Sequence, residues 1–383
     1  MKITINPFYV AFSLITIGTL IIIWLFAALY IEGWWFWGGD IVFDKTGQIG
    51  DFIGGVVGTI FSLAGFVFLY LTLKEQRTSF RKERFEAKFF ELVRLHRENV
   101  SQLEYETNTQ TITNRAVFQL IFNQFQDAFR ELDLFNKKYS IEIDDIINPD
   151  YKSKLSRMIR EKGLKIRPVD IALIDIAYTI LFYGVTKENE QFLSFYFRKK
   201  YKAPYFYKLI KFYQIKPERS HKKSFKNWES LIGLNKVEFK REFDEVYKDR
   251  NSSEIDYEDS FSSKLNRIIN LKEKYYNGHQ NRIGHYYRHL FQSFKYIKMN
   301  TEIDEDEKYF YAKTMRAQLS TFEQALLFIN SVSSLGQKWE LDSDIKLITD
   351  FHLIKNLPGT HFMNIRYNKF YPGIEYESLD IKF

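Results

Sequence analysis

Two uncharged stretches near the start of the chain decide its fold class. Residues 8–31 read FYVAFSLITIGTLIIIWLFAALYI, and residues 53–73 read IGGVVGTIFSLAGFVFLYLTL. At about 1.5 Å per residue, each stretch is long enough to cross a hydrocarbon core of about 30 Å as a helix. The first is longer than the core of a signal peptide, and no small-residue cleavage site follows it. We therefore predict a two-helix transmembrane hairpin in contact with a lipid bilayer.

The charges around the two spans predict their orientation. The loop at 32–52 has four acidic residues and one lysine, whereas residues 74–84 hold five basic residues directly after the second span. Lys and Arg near the ends of spans favour the cytoplasmic side of a membrane. The N-terminus and everything after the second span are therefore expected in the cytoplasm.

Small residues line one face of the second span. Gly54, Gly58, Ala64 and Gly65 fall at helical spacing, which lets another helix approach closely. That partner is either the first span of the same chain or a second copy of the chain. Both alternatives stay open, and the second predicts a homo-oligomer.

The remainder of the chain has helical periodicity and almost no β-alternation before the tail. We predict a hairpin at 1–73, a membrane-proximal helix at 74–110 and a mainly α cytoplasmic domain at 111–383. Residues 136–153 and 251–258 are predicted connectors, and the last twenty residues are expected to be irregular or strand-like. The predicted helices after the spans are 74–107, 113–135, 168–184, 187–200, 259–275, 279–298 and 306–334.

Composition limits the chemistry that the chain can perform. None of its 383 residues is a cysteine, which excludes disulfides, thiolate nucleophiles and cysteine-based zinc sites. The net charge of +7 permits contact with nucleic acid or anionic lipid without requiring it. The basic excess concentrates in 198–250, where aromatic residues are interleaved. That composition suits either a single-strand binder or, as we favour, a solvated lysine-rich surface over core aromatics.

The helix predicted at 279–298 has one apolar face and one polar face. On a helical wheel, Arg282, His285 and His289 stack along one line, here called the polar ridge, with Arg288 and Gln292 beside it. The opposite face holds Ile283, Tyr287, Leu290, Phe291, Phe294 and Ile297. The histidines therefore belong to the polar side of this helix.

The helix predicted at 306–334 is apolar nearly all round, so it should be central and buried. Arg316, Glu323 and Asn330 form a polar row on it, and a buried charge needs a partner. The polar ridge is the nearest set of partners in sequence. We predict that Glu323 faces the ridge, where its carboxylate would orient an imidazole and raise the pKa of that histidine.

Three uses of these residues compete. They are a structural network between two helices, a catalytic site, or a site that binds an anionic ligand. The catalytic alternative assigns roles to Arg282, His285, His289 and Glu323. The ligand-binding alternative adds Arg288, Arg316 and Gln292 as contacts.

No metal site and no cofactor are expected. His285 and His289 have the i, i+4 spacing of zinc ligands, but no Glu follows the first histidine and the neighbouring arginines would repel a cation. The chain has no phosphate-binding Walker loop, no nucleophile elbow and no kinase signature.

Three stretches resemble the phage abortive infection protein family of the AbiC type. They are TGQIGDFIGGVVGTIFSLAGFVFLYLTLKEQR with FFELVRLHRENV, then GHQNRIGHYYRHLFQSFKYI, and then YFYAKTMRAQLSTFEQALLFIN with IKNLPGTHF. The resemblance implies a bacterial inner-membrane protein that limits phage infection by harming or arresting the infected cell. It brings no settled catalytic mechanism, and it leaves residues 110–260 without a quotable motif.

Arg282 and His289 are also similar to the arginine–histidine pair of HEPN-type ribonucleases. Six residues separate them, the outer limit of that spacing, and Ile283 stands where those enzymes often have a polar residue. The resemblance implies an RNA-cleaving site built from two protomers. The function hypotheses are therefore a ribonuclease effector, a sensor of RNA or another phage-derived trigger whose hairpin permeabilises the membrane, and a non-enzymatic scaffold.

Overall fold

A computed structural model describes residues 6–33, 43–106, 110–142, 146–248, 261–269, 274–358 and 365–377. Within these ranges the chain is mainly α-helical, with one short hairpin of two strands, so the predicted fold class is confirmed. The chain divides into two compact units, Met1–Lys88 and Phe89–Phe383. The predicted domain limits at residues 73 and 110 stay predictions.

The first unit contains both predicted spans. Helix α1 is Pro7–Ile31 and α2 is Phe43–Phe52; a π-helical turn at Ile53–Val57 leads into α3, Gly58–Ser101, which runs across the boundary between the units. Among the described residues, two helices are long and apolar enough to cross a membrane, and only 6% and 11% of their apolar windows are buried. The core helix of a soluble protein would be mostly buried, which these windows are not.

The two apolar helices of this unit approach each other at Gly18. A Cβ added at Gly18 of α1 would lie 3.1 Å from the ring of Phe61 in α3. A Cβ at Gly54 or Gly65 would meet nothing within 4 Å. The first span therefore does not cover these two glycines of the second span. Packing of a second copy of the chain against them stays an open alternative.

The second unit is built from helices and one β-hairpin. Strands β1 (Glu104–Glu106) and β2 (Thr111–Thr113) pair antiparallel, with Tyr105 opposite Ile112. The remaining helices are α4 (Ala116–Tyr139), α5 (Pro149–Glu161), α6 (Pro168–Tyr183), α7 (Lys187–Arg198), α8 (Ala203–Gln214), α9 (Lys222–Gly233), α10 (Lys236–Lys248), α11 (Phe261–Ile269), α12 (Gln280–Met299), α13 (Glu305–Arg316), α14 (Thr321–Val332) and α15 (Leu347–Asp350).

The core of this unit forms where α4, α6 and α14 pack together, and α12 packs against α6 and α13. Every residue of α14 from Glu323 to Val332 is buried. In the basic stretch 198–250, Tyr201, Tyr205, Phe206, Phe212 and Tyr213 are all buried. The favoured interpretation of that stretch is therefore correct for these aromatics, which fill the core.

Three helix predictions are wrong in their limits. The helix predicted at 259–275 is described as α11, Phe261–Ile269, and residues 274 and 275 are not helical. The helix predicted at 74–107 ends at Ser101, and the β-hairpin follows it. The single helix predicted at 306–334 is two helices, because Ser320 starts α14 with a capping box that it shares with Glu323. The polar row through Arg316, Glu323 and Asn330 therefore does not lie on one continuous helix.

The other predicted limits agree more closely. Helix α12 runs over Gln280–Met299 where 279–298 was expected, and α7 runs over Lys187–Arg198 where 187–200 was expected. The connector predicted at 251–258 lies outside the described residues. In the described part of the tail, 365–377, a 3₁₀ turn at Tyr367–Lys369 is present and no strand.

Candidate ligand-binding cleft at the start of helix α12

Two glycines set the position of α12. Gly184 follows α6 with φ +79°, and Gly278 precedes α12 with φ +87°. A Cβ on Gly278 would lie 2.5 Å from the carbonyl oxygen of Tyr183, and a Cβ on Gly184 would lie 2.5 Å from the carbonyl carbon of Asn277. Only glycine accepts both the positive φ and the close approach of another backbone. The crossing therefore fixes the start of α12 against the end of α6.

An open cleft of about 580 Å³ lies along the first turns of α12. From α12 it is lined by Gln280, Asn281, Arg282, His285 and Arg288. Arg282, His285 and Arg288 recur every three residues, which places one polar face of the helix along the cleft. We call this space the α12 cleft. The sequence predicted that Arg282 and His285 share a face with Arg288 beside them, and all three side chains line this cleft.

A second lobe of about 300 Å³ adjoins the α12 cleft, because Phe182, Tyr183, Gln280 and Arg288 line both. The aromatic rings of Phe182 and Tyr183 are half-buried, so part of each faces solvent. Concave sites that combine apolar rings with a few convergent polar groups are typical of ligand pockets. Arg288 stands between the two lobes.

The guanidinium of Arg282 is held in place by the β-hairpin. Its Nε donates to the carbonyl oxygen of Glu104 at 2.8 Å, and an Nη donates to that of Gly278 at 3.4 Å. It also lies 4.7 Å from the ring centre of Tyr105, a cation–π distance. Arg282 is therefore a positioned cation at the edge of the cleft.

His285 and Arg288 differ from Arg282 in this respect. Both are exposed, and among the residues that the structure describes neither has a hydrogen bond or ion pair. A guanidinium provides five N–H donors in a planar fork that matches carboxylate and phosphate oxygens. The arrangement is able to bind an anion without first breaking an internal contact of these two side chains.

His289, the third member of the polar ridge, does not line the cleft. It is half-buried, with Nε2 3.1 Å from the carbonyl oxygen of Leu92 in α3 and 3.5 Å from the hydroxyl of Ser293. Arg282 thus contacts the β-hairpin while His289 contacts α3. The pair that resembles the HEPN site is directed at different parts of the fold.

Glu323 does not face the polar ridge, contrary to the geometric prediction. It is fully buried, and its Oε1 accepts a hydrogen bond from the Tyr286 hydroxyl at 2.7 Å. Its Oε2 accepts from the backbone N–H of Ser320 at 2.7 Å and lies 3.6 Å from Nε of Arg115. The carboxylate closes the capping box of α14, so it is turned toward the dry side of α12.

His96 is a buried residue of this region that sequence reasoning missed. Its ring lies 5.4 Å from that of Tyr286 and 6.5 Å from that of His289, and Nε2 is 4.0 Å from Oε1 of Glu323. Burial, followed by the nearby His289 and Arg115, lowers the pKa of His96 to about 4. The imidazole is therefore neutral at neutral pH.

One sequence signal could have found His96. It follows Phe89, Leu92 and Val93 at helical spacing, and all three side chains are buried. A histidine on such a stripe is expected inside the core. Its nearest carboxylate, that of Glu323, lies far away in sequence, and periodicity alone does not reveal that neighbour.

The other predicted contacts also lie outside the cleft. Arg316 is buried and donates to the carbonyl oxygens of Phe351 and His352, at 3.0 and 3.1 Å. Gln292 is exposed and lines neither lobe. The structure therefore brings together Arg282, His285 and Arg288 and separates them from the other predicted site residues. Among the described residues, no group of three or more histidines or acidic residues is arranged to hold a metal ion.

Comparison with known families identifies the segment that holds this cleft. A family model described as "Putative phage abortive infection protein" matches residues 278–362. The match begins at Gly278 and includes α12, α13 and α14, so the resemblance expected from the second and third quoted stretches is confirmed there. The first quoted stretch, which starts at Thr46, lies outside the match. No curated protein and no solved structure matches the chain.

The family match supports a role in phage defence. All five α12 residues that line the cleft fall inside the matched segment.

Proposed function

We propose that this chain is a membrane-anchored bacterial phage-defence protein whose α12 cleft binds an anionic ligand present during infection. The coincidence of the cleft with the family-matched segment carries the proposal, because the match begins at the glycine that positions α12. In this proposal the helical unit is the sensor. The trigger is a phosphate- or carboxylate-bearing molecule of the infected cell or the phage.

The binding role follows from the chemistry of the cleft. Arg282 is held in position, whereas His285 and Arg288 project into open space with their donors unused by the described residues. Exposed cations at the mouth of a concave site attract anions, and Arg forms paired hydrogen bonds with planar oxyanions. Among the described residues, Glu106 is the one acidic residue that lines the α12 cleft.

The effector role in the proposal belongs to the first unit. Two apolar helices with little burial support insertion in the bacterial inner membrane, and the charge bias favours a cytoplasmic helical unit. Binding in the cleft would then lead to permeabilisation of the membrane, with oligomers of the hairpin as the active form. This order of events predicts that the membrane depolarises before cellular RNA is lost.

The ribonuclease alternative draws less support from the geometry. A general base and its arginine must reach the same substrate atoms. Here Arg282 donates to the backbone carbonyl of Glu104 in the β-hairpin, whereas the ring of His289 lies against the backbone carbonyl of Leu92 in α3. His285, at the cleft, is the histidine whose ring is open to a ligand.

The proposal is tested in infected bacteria that express the full chain. The double variant His285→Ala/Arg288→Ala removes two exposed side chains that have no hydrogen bond or ion pair with a described residue, so it is expected to fold. Lys295→Ala is the matched control, since Lys295 lies on α12 but lines neither lobe. We expect the double variant to lose protection and depolarisation, and the control to keep both. Full protection by the double variant, at wild-type level in the membrane fraction, would overturn the proposal.

A further inference from the structure

A second cavity meets the α12 cleft at Tyr105. It measures about 690 Å³ and is lined by residues of the β-hairpin, of α4 and of the segment before α9. Tyr105 lines both spaces, with Arg282 of the cleft against its ring. The two concave surfaces therefore adjoin at β1. We refer to the larger one as the α4 cavity.

The α4 cavity has three exposed cations on its lining. Arg130 and Arg219 both contact the carboxylate of Asp127, and their side chains are 71% and 69% exposed. Lys222 is exposed and has no side-chain partner among the described residues. Asp127 also accepts a hydrogen bond from the hydroxyl of Tyr275. One buried carboxylate thus orients two guanidinium groups whose remaining donors face water.

A buried network of charged and aromatic side chains lies next to Tyr275, which lines the cavity. The buried amine of Lys216 donates to Glu131, which also accepts from the hydroxyl of Tyr276 at 2.9 Å. The same amine lies 3.5 Å from the ring centre of Tyr275. Burial lowers the pKa of Lys216, and the carboxylate of Glu131 opposes that shift. Paired and hydrogen-bonded in this way, the network supports the cavity without offering its own charges to a ligand.

A buried hydrogen bond ties the cavity to the cleft. His279, the N-cap residue of α12, has its Nε2 2.6 Å from Oε1 of Gln124 on α4. Both side chains are buried. The α4 side and the α12 side of Tyr105 therefore belong to one packed framework, and a ligand that reaches both would find them at a fixed separation.

We infer that the α12 cleft and the α4 cavity form one groove that binds single-stranded nucleic acid. The inference rests on the proposed binding role of the cleft and names its ligand class. Five cations line the two spaces, together with His285, against three acidic residues. The cations are Arg130, Arg219, Lys222, Arg282 and Arg288, and the acids are Glu106, Asp127 and Glu218.

The remaining polar groups suit nucleobases. Side-chain amides line both spaces, including Gln110 and Asn123 in the cavity and Gln280 and Asn281 in the cleft. An amide offers a donor and an acceptor side by side, which matches the edge of a base. Each space has the volume of a complete small-molecule pocket. A ligand that occupies both spaces is therefore expected to be a polymer of several such units. Concave pockets accept splayed, unpaired bases, whereas a duplex hides those edges.

The test uses the full chain in detergent and a fluorescent, unstructured twelve-nucleotide RNA, with the same DNA sequence as a second arm. Anisotropy at several salt concentrations gives the affinity and its salt dependence. For single strands, each phosphate contact makes the slope of log K against log salt more negative by about 0.7. Five cations therefore predict a slope of about −3.5. Binding of either polymer supports the inference, and the preferred arm identifies the natural source.

Variants of the α4 cavity distinguish the groove from general basicity. Lys222→Ala removes a cation without a side-chain partner, so we expect several-fold weaker binding and a slope smaller by about 0.7. Lys223→Ala is the matched control, because Lys223 is exposed next to it and lines no part of the cavity. Arg219→Ala is a second variant with the same expected direction. Equal effects of Lys222→Ala and Lys223→Ala would overturn the inference.

Two further outcomes also contradict it. One is the absence of RNA and DNA binding by the wild-type chain. The other is displacement of the labelled RNA by uridine monophosphate at the same nucleotide concentration. That result would mean that the protein binds single nucleotides and has no site for an extended strand. Failure here is separable from failure of the proposed function. If phage protection still requires His285 and Arg288 while no nucleic acid binds, only the ligand class is wrong; if nucleic acid binds but protection needs neither residue, the defence role of the cleft is wrong.

Discussion

The two sides of α12 differ in how their polar groups are satisfied. On the buried side, Tyr286 donates to Glu323, and the buried ring of His96 lies beside them with no hydrogen bond to a described residue. On the open side, His285 and Arg288 face a cleft and have no hydrogen bond or ion pair with a described residue. A polar group that is buried and paired maintains the fold, whereas an exposed one beside a cavity is free to meet a ligand. The same twenty-residue helix therefore separates a structural role from a binding role.

The largest expected effect comes from the glycine crossing on which both sides depend. Gly278→Ala places a Cβ 2.5 Å from the Tyr183 carbonyl oxygen at a positive φ, so we expect a loss of about 3 kcal/mol or more in the free energy of unfolding. Denaturant unfolding of the purified chain measures it. Gly163→Ala is the control, since Gly163 has φ +62° but nothing within 4 Å of an added Cβ. Equal losses at the two glycines would show that close approach at the crossing is unimportant.

The next largest effect is expected from acidification, which should lower the free energy of unfolding through the buried side of α12. Burial lowers the pKa of His96 from 6.5 to about 4 and that of His279 to about 3. The unfolded chain therefore binds more protons than the folded chain below pH 6.5, and stability falls as pH falls from 6.5 toward 4. For His96 alone the loss approaches about 3 kcal/mol, at 1.36 kcal/mol for each pKa unit. Unfolding measured from pH 7 to pH 4 should show this slope, and His96→Gln should reduce it.

A pH profile unchanged by His96→Gln would contradict the buried, neutral state of that ring. The groups around it are Glu323, His289, Arg115 and Arg97. His279→Gln gives the corresponding measurement at the other buried ring. The two substitutions together are expected to remove more of the slope than either one alone.

A smaller effect is expected from the hydroxyl that satisfies Glu323. Tyr286→Phe removes the 2.7 Å hydrogen bond to the buried carboxylate and should cost about 2 kcal/mol. Tyr287→Phe is a matched control on the next residue, because its hydroxyl lies 3.5 Å from the backbone carbonyl oxygen of Glu323. We expect that control to cost less than about 1 kcal/mol. Thermal unfolding of the two variants in parallel provides the comparison, and a larger loss for Tyr287→Phe would contradict the assigned network.

The smallest effect is expected at His289, and it separates the binding role from the ribonuclease alternative. His289→Gln keeps a polar group near the Leu92 carbonyl, so we expect a loss of less than about 1 kcal/mol and full phage protection. If Arg282 and His289 instead form a ribonuclease site, the same variant loses both toxicity and RNA cleavage. Phage yield and RNA integrity in infected cells measure these outcomes.

The sequence predicted those features that depend on local pattern. The uncharged spans follow from composition, and the limits of α12 follow from periodicity. The predicted limits of the first span and of α12 agree with helices α1 and α12 to within about one residue. The grouping of Arg282 with His285 also follows from the wheel. Periodicity failed at the break between α13 and α14, because apolar residues continue at helical spacing through it. The Ser320–Glu323 capping box was readable there and marks the true helix start.

Long-range partners were beyond local pattern. The role of Tyr286 depends on Glu323, thirty-seven positions away, and that of Arg282 depends on the carbonyl of Glu104, one hundred and seventy-eight positions away. The three-residue strands of the β-hairpin are too short to give an alternating signal. The glycine crossing is likewise invisible until Gly184 and Gly278 are brought together by α6 and α12.

The most direct test of the account is charge reversal on the open side of α12. Arg288→Glu and Lys295→Glu change the net charge of the same helix by the same amount. Of these two residues, Arg288 lines the cleft and Lys295 does not. Phage plating efficiency is measured on cells that express each variant at wild-type level in the membrane fraction. We expect Arg288→Glu to abolish protection and Lys295→Glu to retain it. Equal protection by the two variants would contradict a functional cleft at the start of α12.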